Sequence, residues 1–380
     1  MKQRMIQIKI GCFIIFNIML VTGLFAETPI PEEMAVQDSI GKICWYNLSL
    51  FSIEGKGWTN TVNPYDRFPR TAEALVRPPV WQLSRQSAGL CTHFITNAEF
   101  IKVRWTVHNK ELAMNHFPAT GVSGVDLYIK TSDPQWRWAG VGRPDLFPTN
   151  ECYLVQNMDN TVKKEFLLYL PLYNQLDSLF IGLPKGAFIS KTPARPVTEK
   201  PVVFYGTSIT QGGCASRAGM THVAQLGRML NREVINLGFS GNGQMEPELA
   251  RLLSELDPAI YIIDCLPNLQ PKEVSERIVP FVTILRNARP LTPILLVDTP
   301  DYSNGFLDKS RQDRMLNSRK NLLSEFNKLI SQGVPKIYYI NGKPFFGEDG
   351  EATVDGTHPT DLGFIRQANV MVPIIKSIIN

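Results

Sequence analysis

Two domains of different construction are predicted, an all-β sandwich followed by an α/β domain built on a parallel sheet. Three observations predict them. Apolar residues recur mostly with a period of two from about Ile40 to Pro184; short continuous apolar runs alternating with amphipathic stretches then take over; and a proline-rich segment separates the two patterns. The chain of 380 residues is long enough for two domains. A hydrophobic content of 44%, with 20 Phe, 11 Tyr and 6 Trp, supplies a sizeable core and excludes disorder as a global state. With 39 Lys+Arg against 35 Asp+Glu, the net charge of +4 is too diffuse for a phosphate-neutralising surface, so nucleic acid is not an expected partner.

Residues 1–26 read as a secretory signal. Lys2, Arg4 and Lys9 precede a mostly apolar run from Ile10 to Phe25, and cleavage is expected after Ala26. Gly11-Cys12 superficially matches a lipoprotein processing site, but Lys9 interrupts the apolar stretch such a site needs. The expected location is therefore periplasmic or extracellular. No later segment reads as the roughly 20 apolar residues of a membrane span, so stable membrane insertion is not expected. Outside the signal five cysteines remain, Cys44, Cys91, Cys152, Cys214 and Cys265. Their odd number leaves at least one thiol unpaired, and isolated buried thiols are expected, with one or two disulfides the alternative. Their spacing with histidine suggests no metal site.

The sandwich is expected over residues 27–190. In Ile101–His108, apolar and polar residues alternate, which puts Ile101, Val103, Trp105 and Val107 on one face of a half-buried strand. Further strands are expected at Gly124–Lys130, Gln135–Val141, Glu165–Leu172 and Leu176–Leu183, divided by turn residues. Trp136 and Trp138, two apart on one strand, are expected to fill the sandwich core; stacking on a sugar ring is the alternative. Residues 191–200 form a semi-rigid linker rich in proline. From 201 to 380, buried strands are expected at Val202–Tyr205, Val234–Leu237, Ala259–Ile263, Ile294–Val297 and Ile337–Ile340. Helices are expected near Thr221–Leu230, Pro247–Leu256, Pro271–Ala288, Ser310–Ile330 and Thr360–Ile379. Such βα alternation calls for a parallel sheet with helices on both faces and reactive loops at the strands' carboxyl ends.

Those loops carry the chemistry. The first strand of the second half runs into Gly206-Thr207-Ser208-Ile209-Thr210-Gln211-Gly212-Gly213, where a serine flanked by glycines is placed for nucleophilic work. A polar turn or a small phosphate-binding loop is the other reading of that segment alone. Asp355-Gly356-Thr357-His358-Pro359 precedes the final helix, and one turn can present both side chains to a common pocket, His358 as base and Asp355 as its orienter. A helix-capping histidine is the alternative there. His222, the other histidine of this half, is expected to cap its helix or lie on a partly buried face. Gly241, after the second strand, and Asn268, after the third, can offer donors to a developing oxyanion. Asp298, at the end of the fourth strand, lines a pocket or merely starts a loop.

Serine after the first strand, glycine after the second, asparagine after the third and Asp-x-x-His before the last helix together resemble the SGNH/GDSL hydrolase superfamily, over about Pro201 to Asn380. The sequence departs from the common pattern where Gly206-Thr207-Ser208 replaces Gly-Asp-Ser and where Asp264-Cys265-Leu266-Pro267-Asn268 replaces Gly-x-Asn-Asp. Gly124-Val125-Asp126-Leu127-Tyr128 is similar to the Gly-x-Asp-Leu-Tyr motif of a bacterial branch in which a β-sandwich precedes the hydrolase. The resemblance implies a flavodoxin-like sheet of five parallel strands behind a sandwich or jelly-roll domain. It implies a nucleophile at Ser208, a base and orienter at His358 and Asp355, and an oxyanion hole formed by the Ser208 N–H, Gly241 and Asn268. It implies no metal and no organic cofactor. The expected activity is hydrolysis of small acyl esters, acetyl foremost, on carbohydrate. A lipid or lysophospholipid esterase, or an inactive carbohydrate-binding protein on the same scaffold, is the alternative. Asp126 and Tyr128 either reach the active-site rim or stabilise their strand.

Overall fold

The computed structural model describes residues 27–379, and the secretory segment read at residues 1–26 lies outside them. Two antiparallel sheets make up most of the first half. One runs in the order Thr28–Pro29, Ile189–Lys191, Cys91–Thr96, Lys164–Tyr169, Asp126–Lys130 and Trp136–Val141, with Ile53–Glu54 also paired to Cys91–Thr96. The other runs Val36–Gln37, Ile43–Asn47, Leu176–Pro184, Ile101–Val107 and Thr149–Val155. Ile101, Val103, Trp105 and Val107 are buried on one face, as their alternation predicts, and pack against Phe94, Phe166 and Leu168 of the opposite sheet. The run Phe166-Leu167-Leu168-Tyr169 is buried throughout because its strand is covered twice. Phe166 and Leu168 enter the sandwich core, while Leu167 and Tyr169 pack on the second half with Ile209, Ala215 and Phe364.

The second half holds five parallel strands, Val202–Gly206, Val234–Gly238, Ile260–Asp264, Ile294–Val297 and Ile337–Ile340. Their spatial order is second, first, third, fourth, fifth, so the carboxyl ends of the first three lie together. Each strand is an almost unbroken apolar run because helices bury both faces. Pro247–Ser254, Pro271–Ala288 and Lys309–Ser331 cover one face; His222–Leu230 and Asp361–Ile379 cover the other. Phe68, Ala72, Val76, Val80 and Trp81, from a first-half segment containing the short helix Pro78–Ser84, also pack in the core of this parallel sheet.

Four expectations need correction or sharpening. Trp136 and Trp138 do not fill the sandwich: Trp138 is 51% exposed and Trp136 is half-buried on the outer face. The cause is a bulge opposite Leu127 and Tyr128, which pairs Leu127 with Gly140 but Tyr128 with Trp138, so the strand changes face at Ala139. Gly140 takes the inward place, where a Cβ would lie 2.0 Å from the Leu154 carbonyl oxygen. The final helix, Asp361–Ile379, is by length and composition apolar enough to cross a membrane, contrary to the reading of the sequence. Its apolarity has a local use, since Phe364, Ala368, Met371 and Ile375 are buried within the protein. His222 is wholly buried rather than at a partly covered face: it stacks on Phe364 and meets Phe204 edge-on, and burial pushes its imidazole down to about 3. The five cysteines among the described residues are free thiols, four of them buried and Cys152 half-buried.

Asp126 and Tyr128 join the two halves. The fully buried Asp126 carboxylate pairs with Arg217 at 2.8 Å and accepts from the Gly219 N–H (2.8 Å) and Trp138 Nε1 (3.0 Å). Arg217 and Arg228 lie against the Tyr128 ring, 5.4 and 4.1 Å from its centroid. Burial pushes the Asp126 carboxyl upward, with Arg217 and the Gly219 N–H opposing it. Arg217→Met is therefore expected to destabilise the protein by about 3–5 kcal/mol, because it strands a buried charge, while Asp126→Asn combined with Arg217→Met recovers part of the loss. Urea denaturation of the two variants beside wild type checks this; an unchanged midpoint in Arg217→Met contradicts it.

Candidate active site

Ser208 stands at the junction where the first parallel strand ends and the short helix Ser208–Gln211 begins. Thr207 caps that helix, its hydroxyl accepting from the Ile209 N–H at 3.3 Å, and Gly212 closes it with φ +113°. The turn is tight: a Cβ on Gly206 would lie 2.1 Å from Thr210 Oγ1, and one on Gly243 would lie 2.0 Å from the Gly206 carbonyl oxygen. Ser208 is 8% exposed, and among the described residues its own N–H has no hydrogen-bond partner. Tyr173, from the first half, donates to the Ser208 carbonyl oxygen at 3.2 Å.

Ser208 Oγ lies 2.8 Å from His358 Nε2, and His358 Nδ1 lies 2.7 Å from Asp355 Oδ2. The aspartate also folds its own loop, Oδ1 accepting from the N–H groups of Thr357 (3.0 Å) and His358 (2.8 Å). Gly356 sits between them at φ +84°, a value that suits glycine. Burial would raise the Asp355 carboxyl, but the His358 N–H and ring and the Thr357 N–H outweigh it and hold the group down at about 2. The carboxylate therefore stays charged at neutral pH, and its bond to Nδ1 turns the lone pair of Nε2 toward the serine. From outside, the Arg311 guanidinium donates to Thr357 Oγ1, and Ser303 N–H to the Gly356 carbonyl oxygen at 3.1 Å.

Gly241 and Asn268 lie on loops at the same edge of the sheet. Phe239 N–H donates to the Gly206 carbonyl oxygen at 3.0 Å, which anchors the second-strand loop beside the serine turn. Gly241 has φ +68°, faces open space, and its N–H has no partner among the described residues. Asn268 is satisfied when Oδ1 accepts from the Asn242 N–H (3.0 Å) and Gly243 N–H (3.1 Å), which turns the Nδ2 donor toward acceptors on its other side. Its carboxamide thereby braces the loop that carries Gly241.

Several supporting residues have no signature in the sequence. Arg67 is wholly buried and donates to the carbonyl oxygens of Asn236 (3.1 Å), Gly238 (2.7 Å), Leu83 (2.6 Å) and Gln86 (2.8 Å). It thus clamps the end of the second strand to the first-half segment, and burial pulls its guanidinium down to about 9. Gln211 Oε1 accepts from the Ser240 N–H at 2.9 Å, tying the active-site helix to the glycine loop. Asp264 accepts from Thr210 Oγ1 at 3.1 Å beneath that helix, its carboxyl raised to about 7 by burial. Asp298 is buried against Arg319 (3.2 Å) and the Tyr339 hydroxyl (3.0 Å), a structural pin rather than a pocket wall. A groove of about 620 Å³ opens beside Ser240 and Asn242, its far wall supplied by first-half residues including Gln82, Arg85, Asn109 and Gln175.

The chain is similar to known proteins over both of its halves. Residues 199–376 match the family described as GDSL-like lipase/acylhydrolase, and residues 43–189 match the one described as the N-terminus of Esterase_SGNH_hydro-type. A crystal structure of a GDSL-like lipase from Bacteroides ovatus is 38% identical, with a TM-score of 0.84 over 88% of this chain and 98% of that one. The salicylyl-acyltransferase SsfX3 of a tetracycline biosynthetic pathway shares the fold at 18% identity and TM-score 0.68, over 93% and 97% of the two chains. A family two carbohydrate esterase from Cellvibrio japonicus does so at 14% identity and TM-score 0.50, over 77% and 89%. No curated protein matches the sequence significantly.

Proposed function

The chain belongs to the GDSL-like lipase/acylhydrolase family, and from that premise we propose that it is a secreted serine esterase that removes small acyl groups, acetyl foremost, from carbohydrate. The observation that carries the reading is the continuous hydrogen-bonded series from Ser208 Oγ through His358 to Asp355, with the Ser208 and Gly241 N–H groups unpartnered among the described residues. Ser208 attacks the ester carbonyl as His358 Nε2 takes its proton, and Asp355 stabilises the imidazolium that forms. The oxyanion is held by the Ser208 and Gly241 N–H groups and by Asn268 Nδ2. His358 returns its proton to the departing alcohol, then draws one from water, which releases the acid and restores the serine.

The substrate class rests on the groove. Its first-half wall sets the amides of Gln82, Asn109 and Gln175 and the Arg85 guanidinium among Pro79, Trp81, Leu83 and Met114, a mixed lining suited to the hydroxyls and ring faces of a sugar, whereas a lipid chain calls for a continuous apolar lining. Release of the parent acid, acetate from acetylated polysaccharides and the corresponding fatty acid from short-chain glycerides and lysophospholipids, measured side by side, tests this. Faster turnover of the acetylated polysaccharides supports the proposal; preference for the lipids overturns it. Asn268→Ala is expected to lower kcat by on the order of 10²–10³ with little change in KM, the loss of one oxyanion donor and of the brace on the glycine loop. Steady-state kinetics on p-nitrophenyl acetate reads this, and an unchanged kcat removes Asn268 from the mechanism.

A further inference from the structure

We propose that His116, Cys214 and His358 form a binding site for a thiophilic divalent cation such as zinc, and that filling it stops hydrolysis by capturing the imidazole nitrogen that Ser208 needs. The three residues come from separate segments: a loop of the first half, the turn after the active-site helix, and the loop before the last helix. Each offers a ligand atom, and those atoms lie within 4.8 Å of one another. Tetrahedral zinc, at about 2.0–2.3 Å from each ligand, holds its ligand atoms roughly 3.5 Å apart, so the widest separation allowed here closes by at most about 1.3 Å. The exposed His116 can supply that movement: its ring is 5.9 Å from that of His358, centroid to centroid. Asn115 Oδ1, 2.7 Å from His116 Nδ1, favours the proton on that nitrogen and leaves Nε2 as the lone-pair end.

The surroundings suit a metal in three further respects. Asp355 holds the Nδ1–H of His358 in the carboxylate–histidine arrangement that typically supports metal-bound imidazole and leaves Nε2 outward. Cys214 supplies a soft ligand, fixed on backbone at φ +75°, and its proton passes to solvent on coordination. The His358 side chain is 24% exposed, so a hydrated ion has a path inward. Two imidazoles and a thiolate leave a fourth coordination position for water.

Cation binding does not depend on the esterase reading, whereas inhibition does, and the experiment separates them. Zinc binding to the full chain is measured by equilibrium dialysis for wild type, Ser208→Ala, His116→Ala and Cys214→Ser, with p-nitrophenyl acetate hydrolysis followed in parallel and EDTA added afterwards. Wild type and Ser208→Ala are expected to bind one zinc per chain, and His116→Ala and Cys214→Ser to bind at least about tenfold more weakly. Wild-type hydrolysis falls with zinc occupancy and returns with EDTA. Cobalt in place of zinc adds a thiolate charge-transfer band that Cys214→Ser lacks, a readout independent of activity. Failure of wild type to bind zinc, or wild-type affinity in both His116→Ala and Cys214→Ser, overturns the site. Zinc bound at full occupancy with undiminished hydrolysis overturns the inhibition. Stoichiometric zinc with no hydrolysis by any form keeps the site and instead defeats the esterase reading.

Discussion

Ser208→Ala is expected to reduce kcat/KM for p-nitrophenyl acetate by on the order of 10⁴–10⁶ while leaving the unfolding free energy from urea denaturation within about 1 kcal/mol of wild type. The loss is large because the hydroxyl is the atom that forms the covalent bond; the remaining N–H donors can only polarise an ester that water must then attack. The fold survives because Ser208 makes its turn through backbone groups. Its carbonyl oxygen accepts from the N–H groups of Gly212 (2.9 Å) and Gly213 (2.8 Å), and Thr207 caps the helix. A mutant retaining wild-type kcat/KM would remove the serine from the chemistry.

Asp355→Asn is expected to cost about 10⁴ in kcat, the second largest effect. The amide can present an N–H to Nδ1, which would place the imidazole proton on Nε2 and point a donor, not a lone pair, at Ser208. The pH profile of the wild-type enzyme follows from the same pair. Asp355 is depressed to about 2 in the folded protein, below the ordinary carboxylate value of about 3.9, so what it adds to stability is complete above that ordinary value and is lost as pH falls toward about 2. The carboxylate is thus charged at every pH well above about 2, so an acid loss of activity between neutral pH and the ordinary carboxylate value is not expected to come from Asp355. With Asp355 out of that range, a single group is expected to govern the loss, and kcat/KM for the wild type should fall tenfold per pH unit along one limb. A limb of slope two would show that a second group shares the titration.

The parallel sheet was legible because buried strands write themselves as short apolar runs, and Pro271–Ala288 was legible to the residue because proline and an apolar period mark it. Asp355 and His358 were legible as a pair because three residues of chain suffice to bring them together. Spacing does not mark Ser208 as their partner, since 150 residues separate it from His358; the need of a serine hydroxyl for a base, and then the resemblance, join them. Arg67, Gln211 and Tyr173 left no signal at all. An arginine that donates to four carbonyl oxygens of other segments needs no particular neighbours in sequence, only a tertiary structure that brings those oxygens around it. The same holds for His116, whose place beside His358 depends on how the first half seats on the second. The sandwich strand Cys91–Thr96 has no clear signature in the sequence because it carries Thr92, His93 and Thr96 among its apolar residues, with polar partners supplied from elsewhere: Thr92 Oγ1 donates to the Ser52 carbonyl oxygen at 2.8 Å. At Trp138 the alternation itself misled, since one bulged residue reverses every face beyond it.

The most direct test of the mechanism is to quench the enzyme in acid within milliseconds of mixing with p-nitrophenyl acetate and to map the acetylated peptide by mass spectrometry. The account predicts one acetyl group on Ser208, accumulating further in a variant with His358 replaced by alanine if deacylation slows more than acylation. Rapid hydrolysis with Ser208 unmodified at every time point, or with the acetyl group carried stoichiometrically by another side chain, would contradict it.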